Sequence, residues 1–153
     1  MQKLSPTFYQ IISTDYLAQN FFVMIFGGWA IYFIDALFEG EYTLFLLIFA
    51  LIATPIGLVT FYWRYNLITS TFINGIEVPG RVFEIHTIST GKKRKDYIID
   101  YEYHHNGQSH QCRNRVKKNT FAKTLRQGQT VNLLMNEKNP NIAFIKDIHI
   151  EFL

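Results

Sequence analysis

His104, His105, His110 and Cys112 are side chains of the types that bind transition metals. Their spacing argues against a shared site. In a strand successive side chains alternate between faces, so His104 points away from His110 and Cys112. His105 shares their face but lies at a turn, and Cys112 lies deeper among tyrosines; these are read as ordinary strand residues. Asp100 and Glu102, two apart on one face, have the spacing of an acid/base pair, but opposite Arg113 they read as solvated strand charges. No HExxH, GxSxG or phosphate-cradling glycine loop occurs. The expectation is therefore a protein that is not an enzyme, with no catalytic residue, metal site or cofactor. Cys112 is the sole cysteine, so no intramolecular disulfide forms. What remains is electrostatic. Lys92, Lys93, Arg94 and Lys95 stand in a row, and Arg113, Arg115, Lys117 and Lys118 follow. Together they are a candidate surface for an anionic partner.

The elements that position these residues read as a small β domain. Residues 96–105 alternate, with Tyr97, Ile99, Tyr101 and Tyr103 on one face and Ile98, Asp100, Glu102 and His104 on the other. Asn106-Gly107 then gives a strong hairpin signal. A two-residue turn sets the register: His105 faces Gln108, Tyr103 faces His110, Tyr101 faces Cys112, Asp100 faces Arg113 and Tyr97 faces Val116. The tyrosine face is the buried one. A strand is expected at 81–89 and a short helix at 119–126, capped by Asn119 or Thr120, stopped by Gly128 and turning Phe121 and Leu125 to the core. Further strands are expected at 129–136 and 142–150, with a turn at Asn139-Pro140-Asn141. Five strands and one short helix make a small barrel of the OB or SH3-like kind. Strand count does not distinguish the two orders.

Ahead of this domain lie two apolar runs, 17–38 and 44–63, of 22 and 20 residues. Each is close to the ~20 residues a helix needs to cross a bilayer. The connector Glu39-Gly40-Glu41-Tyr42-Thr43 permits only a tight turn between antiparallel helices. The first run has a single early cation and no small-x-small cleavage site, so it reads as a retained helix rather than a signal peptide. The expected organisation is an N-terminal cytoplasmic segment (1–16), a two-helix transmembrane hairpin (17–66), a linker (67–78) and a soluble β domain (79–153). Gly27, Gly28, Ala53 and Gly57 are candidate helix-packing residues, with homo-oligomerisation as one use. Pro55 should kink the second helix. Asp35 reads as an interfacial carboxylate, and Tyr62, Trp63 and Tyr65 as an aromatic belt.

Charge is divided unevenly. Residues 1–63 carry Lys3 as the lone base against Asp15, Asp35, Glu39 and Glu41, so the net positive charge belongs to the β domain. The loop between the helices has no Lys or Arg, whereas Lys3 and Arg64 flank the hairpin. The positive-inside rule puts both termini in the cytoplasm. The reading is a membrane-anchored interaction or scaffold protein, presenting a basic β domain at the cytoplasmic face of the inner membrane to a protein partner or anionic lipid. The alternative is a membrane-tethered OB-type module that binds nucleic acid through a basic face and stacking aromatics.

The β segment also resembles a family. Gly80-x-Val82, then Tyr97-x-x-x-Tyr101-x-Tyr103 leading to Asn106-Gly107, then Gly128-Gln129-x-Val131-x-Leu133-x-Met135-Asn136 and Asn139-Pro140-x-x-Ala143 are similar to the bacterial membrane proteins grouped as DUF3592. The resemblance covers about residues 79–145. It implies the β fold and no activity. Many members place helices on both sides of the β domain, whereas here both precede it, a layout similar to NfeD-like proteins with membrane helices ahead of an OB domain.

Overall fold

A computed structural model describes residues 5–39, 43–89, 95–117 and 120–150. The elements in chain order are α1 (Phe8–Thr14), α2 (Tyr16–Glu39), α3 (Leu44–Asn74), β1 (Ile76–Ser89), β2 (Lys95–His105), β3 (Gln108–Lys117), α4 (Thr120–Thr124), β4 (Thr130–Asn136), β5 (Asn139–Ile145) and α5 (Lys146–Ile150). They form two compact units. One is Leu17–Tyr65, and the other joins Met1–Tyr16 to Asn66–Leu153. The chain on both flanks of the hairpin therefore belongs to one unit.

Within the hairpin unit, α2 and α3 are long and apolar enough to cross a membrane. Only 11% and 17% of their most apolar windows is buried, whereas a core helix of a soluble protein would be mostly covered. The seam between them is set by small residues. A Cβ on Gly28 would meet the Ala50 Cα at 3.0 Å, and one on Gly57 would meet Ile25 N and Phe21 O at 3.1 Å. Trp29 Nε1 donates to Thr54 Oγ1 at 2.8 Å, and Thr54 Oγ1 donates to the Ala50 carbonyl one turn back. At the loop end, Thr43 Oγ1 donates to Asp35 at 2.6 Å, so this carboxylate is tied to the residue before α3.

The β unit is a five-stranded antiparallel sheet of order β3-β2-β1-β4-β5. It curls until β5 returns beside β3. The circuit β1-β2-β3-β5-β4-β1, with α4 between β3 and β4, is an OB-type connection rather than an SH3-like one. The β2–β3 register is the expected one throughout, from His105↔Gln108 to Tyr97↔Val116, because Asn106 (φ 49) and Gly107 (φ 76) adopt the left-handed backbone of a tight hairpin. Val82, Ile99, Tyr101, Tyr103, Leu133, Met135 and Ile145 fill the barrel. Gly80 pairs with both Tyr103 and Val131 where β1 passes from one neighbour to the other. A Cβ there would run into Leu133.

Three expectations are corrected. The segment 67–78 is not a linker: α3 runs to Asn74 and β1 starts at Ile76. Ile68 and Phe72 are buried in the β unit, and that burial continues the helix past the apolar run. Lys146–Ile150 is helix α5 rather than the end of a strand, since Ile148 and His149 are both buried and need a helical turn to face the body together. The turn between β4 and β5 is at Glu137-Lys138, two residues early, because Asn136 Oδ1 accepts from the Lys138 and Asn139 amides. Residues 5–16 also carry more structure than expected. Thr7 and Gln10 form a reciprocal capping box that starts α1. Buried Thr14 then meets His149 Nδ1 at 2.7 Å.

Candidate functional site

The end of the sheet where the chain passes into α2 is built as follows. Asp15 makes an antiparallel bridge to Val116, which fixes Tyr16 against β3. The guanidinium carbon of Arg115 lies 3.4 Å from the centroid of the Tyr16 ring, and Lys117 Nζ lies 6.0 Å from it. Arg115 Nη2 also contacts Asp96 Oδ2 at 3.2 Å. Tyr16 is the first residue of the candidate span Tyr16–Phe38. Three strands end here in register, with Ile88↔Asp96↔Lys117 and Ser89↔Lys95 as the terminal pairs.

The candidate cations do not act as one free patch. Arg113 holds Asp100 with two bonds, Nε to Oδ1 at 2.6 Å and Nη2 to Oδ2 at 3.0 Å, and this bonding and the carboxylate charge raise its pKa. Arg115 is committed to Asp96 and Tyr16. Lys117 stands beside Tyr16 at the strand end. Lys92, Lys93, Arg94 and Lys118 lie outside the described residues, as does the side chain of Lys95.

On the outer face, a register shift between Val82 and Glu84 makes Phe83 the extra residue of a β-bulge. The bulge places Glu84 directly opposite Asp100 and leaves Phe83 exposed. His86 Nε2 sits 3.2 Å from Glu84 Oε2 and 3.9 Å from Asp100 Oδ2. The three donors lie within 4.8 Å of one another, the one such cluster among the described residues. Both Asp100 oxygens already accept from Arg113, so the group is a closed ion network. Sequence spacing missed it because the bulge is what aligns Glu84 with Asp100. A pocket of about 350 Å³ adjoins it, lined by Phe83, Gln111 and Arg113 among others.

Inside, the tyrosine face serves the barrel seam. Tyr101 Oη donates to the Ala143 carbonyl at 2.5 Å and Tyr103 Oη to the Pro140 carbonyl. Cys112 Sγ donates to the Asn141 carbonyl, and Asn114 Nδ2 donates to both Tyr101 Oη and the Ala143 carbonyl. These side chains take the place of a β3–β5 ladder. Burial pushes up the pKa of Tyr103, and Cys112 adds to the effect. Burial likewise pushes up Cys112, against hydrogen bonding with Ala143 and Tyr103. His110 stacks on Tyr103 at 5.4 Å and approaches Asn141 Oδ1 at 3.3 Å. His104 and His105 lie on opposite faces near the turn, as their spacing required.

Of the helix-packing candidates, Gly28 and Gly57 are spent inside the hairpin, and Ala53 is 3% exposed. They are therefore closed to a second copy. A Cβ on Gly27 would touch only Val23 of its own helix, at 3.8 Å.

Residues 78–148 match the family model DUF3592, a domain of unknown function. The β domain is similar to DUF3592 over that span, a little under half of the chain. The matched span opens in β1 two residues before Gly80, takes in β2 to β5, and closes within α5 at Ile148, one residue short of His149. No curated protein and no solved structure matches the chain. The DUF3592 match brings no activity with it, and the reading of function rests on the architecture.

Proposed function

We propose that this chain is a non-enzymatic, membrane-anchored interaction protein that holds its DUF3592-like domain at the cytoplasmic surface of the inner membrane. The observation that carries the reading is the fold of the flanks. The segment before the apolar hairpin and the segment after it form one unit. A span pair whose two outer ends are tied together returns the chain to the side it left. That arrangement supports both termini on one side, and Lys3 and Arg64, against a loop with no Lys or Arg, support the cytoplasm as that side. The ion-paired outer face and the tyrosines spent on the seam support a binding rather than a catalytic role.

The alternative of nucleic-acid binding loses its stacking platform, since Tyr101 and Tyr103 are each 1% exposed. Arg113 and Arg115, on the face it would use, each engage a carboxylate. Fusing after Leu153 a reporter active only in the cytoplasm, or one active only outside, tests the proposal. Signal from the cytoplasmic reporter alone is expected. Signal from the external reporter alone would redirect the search for partners to the envelope.

A further inference from the structure

We propose that Glu84, His86 and Asp100 form a site for a divalent transition-metal ion of the zinc class. The proposal is independent of the membrane-anchor reading. Two paired strands supply the donors. The Phe83 bulge sets Glu84 opposite Asp100, and His86 follows two residues on, opposite Ile98. Positions two apart on a strand, and the position across from one of them, share a face, so the three side chains stand together on the outer face. His86 Nε2 is 3.2 Å from Glu84 Oε2 and 3.9 Å from Asp100 Oδ2, and the three donor atoms all lie within 4.8 Å of one another. Donors around a tetrahedral zinc ion with bonds of ~2.1 Å stand ~3.4 Å apart. Adjustments of about 1 Å close such a shell, and the side chains of His86 and Glu84, 48% and 49% exposed, have room to make them.

Two carboxylate oxygens converge on one imidazole nitrogen, and a neutral imidazole carries at most one N–H there. A metal ion between the three atoms satisfies both oxygens at once. Glu84 and Asp100 bring two negative charges, of which Arg113 matches one. Arg113 reaches Asp100 from β3, by Nε to Oδ1 at 2.6 Å and Nη2 to Oδ2 at 3.0 Å, whereas Glu84 and His86 reach it from β1. A carboxylate has about four lone-pair sites, so Oδ2 keeps one for an ion on the β1 side although Arg113 closes the ion network. A hydrogen-bonding neighbour of this kind orients a metal-ligating carboxylate. The imidazole selects a transition metal over magnesium or calcium, which take oxygen donors. Glu84 and Asp100 also line the cavity of about 350 Å³ beside Phe83, so a fourth ligand can reach the ion from solvent. The set shares no member with His104, His105, His110 and Cys112, because a bulge and not sequence spacing assembles it.

The test titrates zinc chloride into the full chain in detergent micelles, after treatment with a chelator, and reads binding by competition with a chromogenic zinc indicator. One ion per chain should bind with micromolar or tighter affinity. On binding, hydrogen exchange should slow at residues 84–86 and 98–100 and stay unchanged at 104–110. His86→Gln should weaken binding at least ~10-fold, since loss of a ligand costs no less than loss of a group that supports one. Glu84→Gln should act alike, and it carries the comparison if His86→Gln lowers the thermal midpoint of the zinc-free chain. The paired variant His104→Gln/His105→Gln should bind as the parent does. No saturable binding overturns the proposal. So does equal affinity in the parent and the variants at residues 84 and 86, or loss of binding in the paired variant.

Discussion

The barrel seam makes a quantitative prediction that depends on how two side chains share one acceptor. The Ala143 carbonyl accepts from Tyr101 Oη at 2.5 Å and from Asn114 Nδ2 at 3.2 Å. Tyr101→Phe removes one donor and leaves the other, so a loss near ~1 kcal/mol is expected, the net worth of one hydrogen bond. Asn114→Ala leaves Tyr101 in place and should cost a similar amount. The double variant strips the carbonyl of both donors, and a buried acceptor left unsatisfied costs a further ~1–3 kcal/mol. The double should therefore exceed the sum of the singles by at least ~1 kcal/mol. Tyr103→Phe should cost more than Tyr101→Phe, because no second side chain reaches the Pro140 carbonyl among the described hydrogen bonds. Cys112 is a built-in reporter. It is 8% exposed and donates to the adjacent Asn141 carbonyl, so its labelling rate by a thiol reagent, at one fixed pH, measures opening of this seam. Additivity of the two single variants within ~0.5 kcal/mol would refute the shared-acceptor argument.

Three further outcomes follow from packing and titration. Gly57→Leu should destabilise the hairpin by ~1–3 kcal/mol, because its side chain meets backbone atoms of Phe21 and Ile25; Gly27→Leu, which meets only Val23, should be tolerated in the same thermal melts. Gly80→Ala should lower the thermal midpoint of the full chain, and shortening the opposing side chain with Leu133→Val should make the second loss smaller than additive. Burial, reinforced by Glu77 and opposed by Lys146, raises the Asp147 pKa above its ordinary 3.8. Its contribution to stability is thus fully present below that ordinary value and is lost as pH rises through the raised one. Asp147→Asn should gain on the parent as pH rises from acid to neutral in paired unfolding titrations, and a gap independent of pH would contradict this.

Much of the fold is legible in local signals. The Asn106-Gly107 pair and the alternation of 96–105 give the hairpin register, and the apolar runs give the two long helices. Other features depend on tertiary contacts that no local pattern announces. Helix α3 outlasts its apolar run because Ile68 and Phe72 pack into the β unit. Lys146–Ile150 turns helical because Ile148 and His149 must be buried together, and β-branched residues alone suggest a strand. The Phe83 bulge has no turn residue to mark it, so the Glu84, His86 and Asp100 network could not be read from spacing. The Thr7–Gln10 capping box and the Asn136 turn were both readable, from Thr-x-x-Gln and from Asn before the connecting residues. The positions of Arg113 and Arg115 followed from the register, but their carboxylate partners cancel much of the free charge that composition alone suggests.

The most direct test of the central reading is the sidedness of the two flanks of the hairpin. Ser5 and Ser109 are both exposed. Each can be changed to Cys in the full chain, over the slow background of buried Cys112, and labelled with a membrane-impermeant maleimide in sealed right-side-out and inverted vesicles. The account predicts that both positions react only in inverted vesicles, where the cytoplasmic face is outward. Reaction of the two positions from opposite faces would contradict a hairpin whose flanks share one unit.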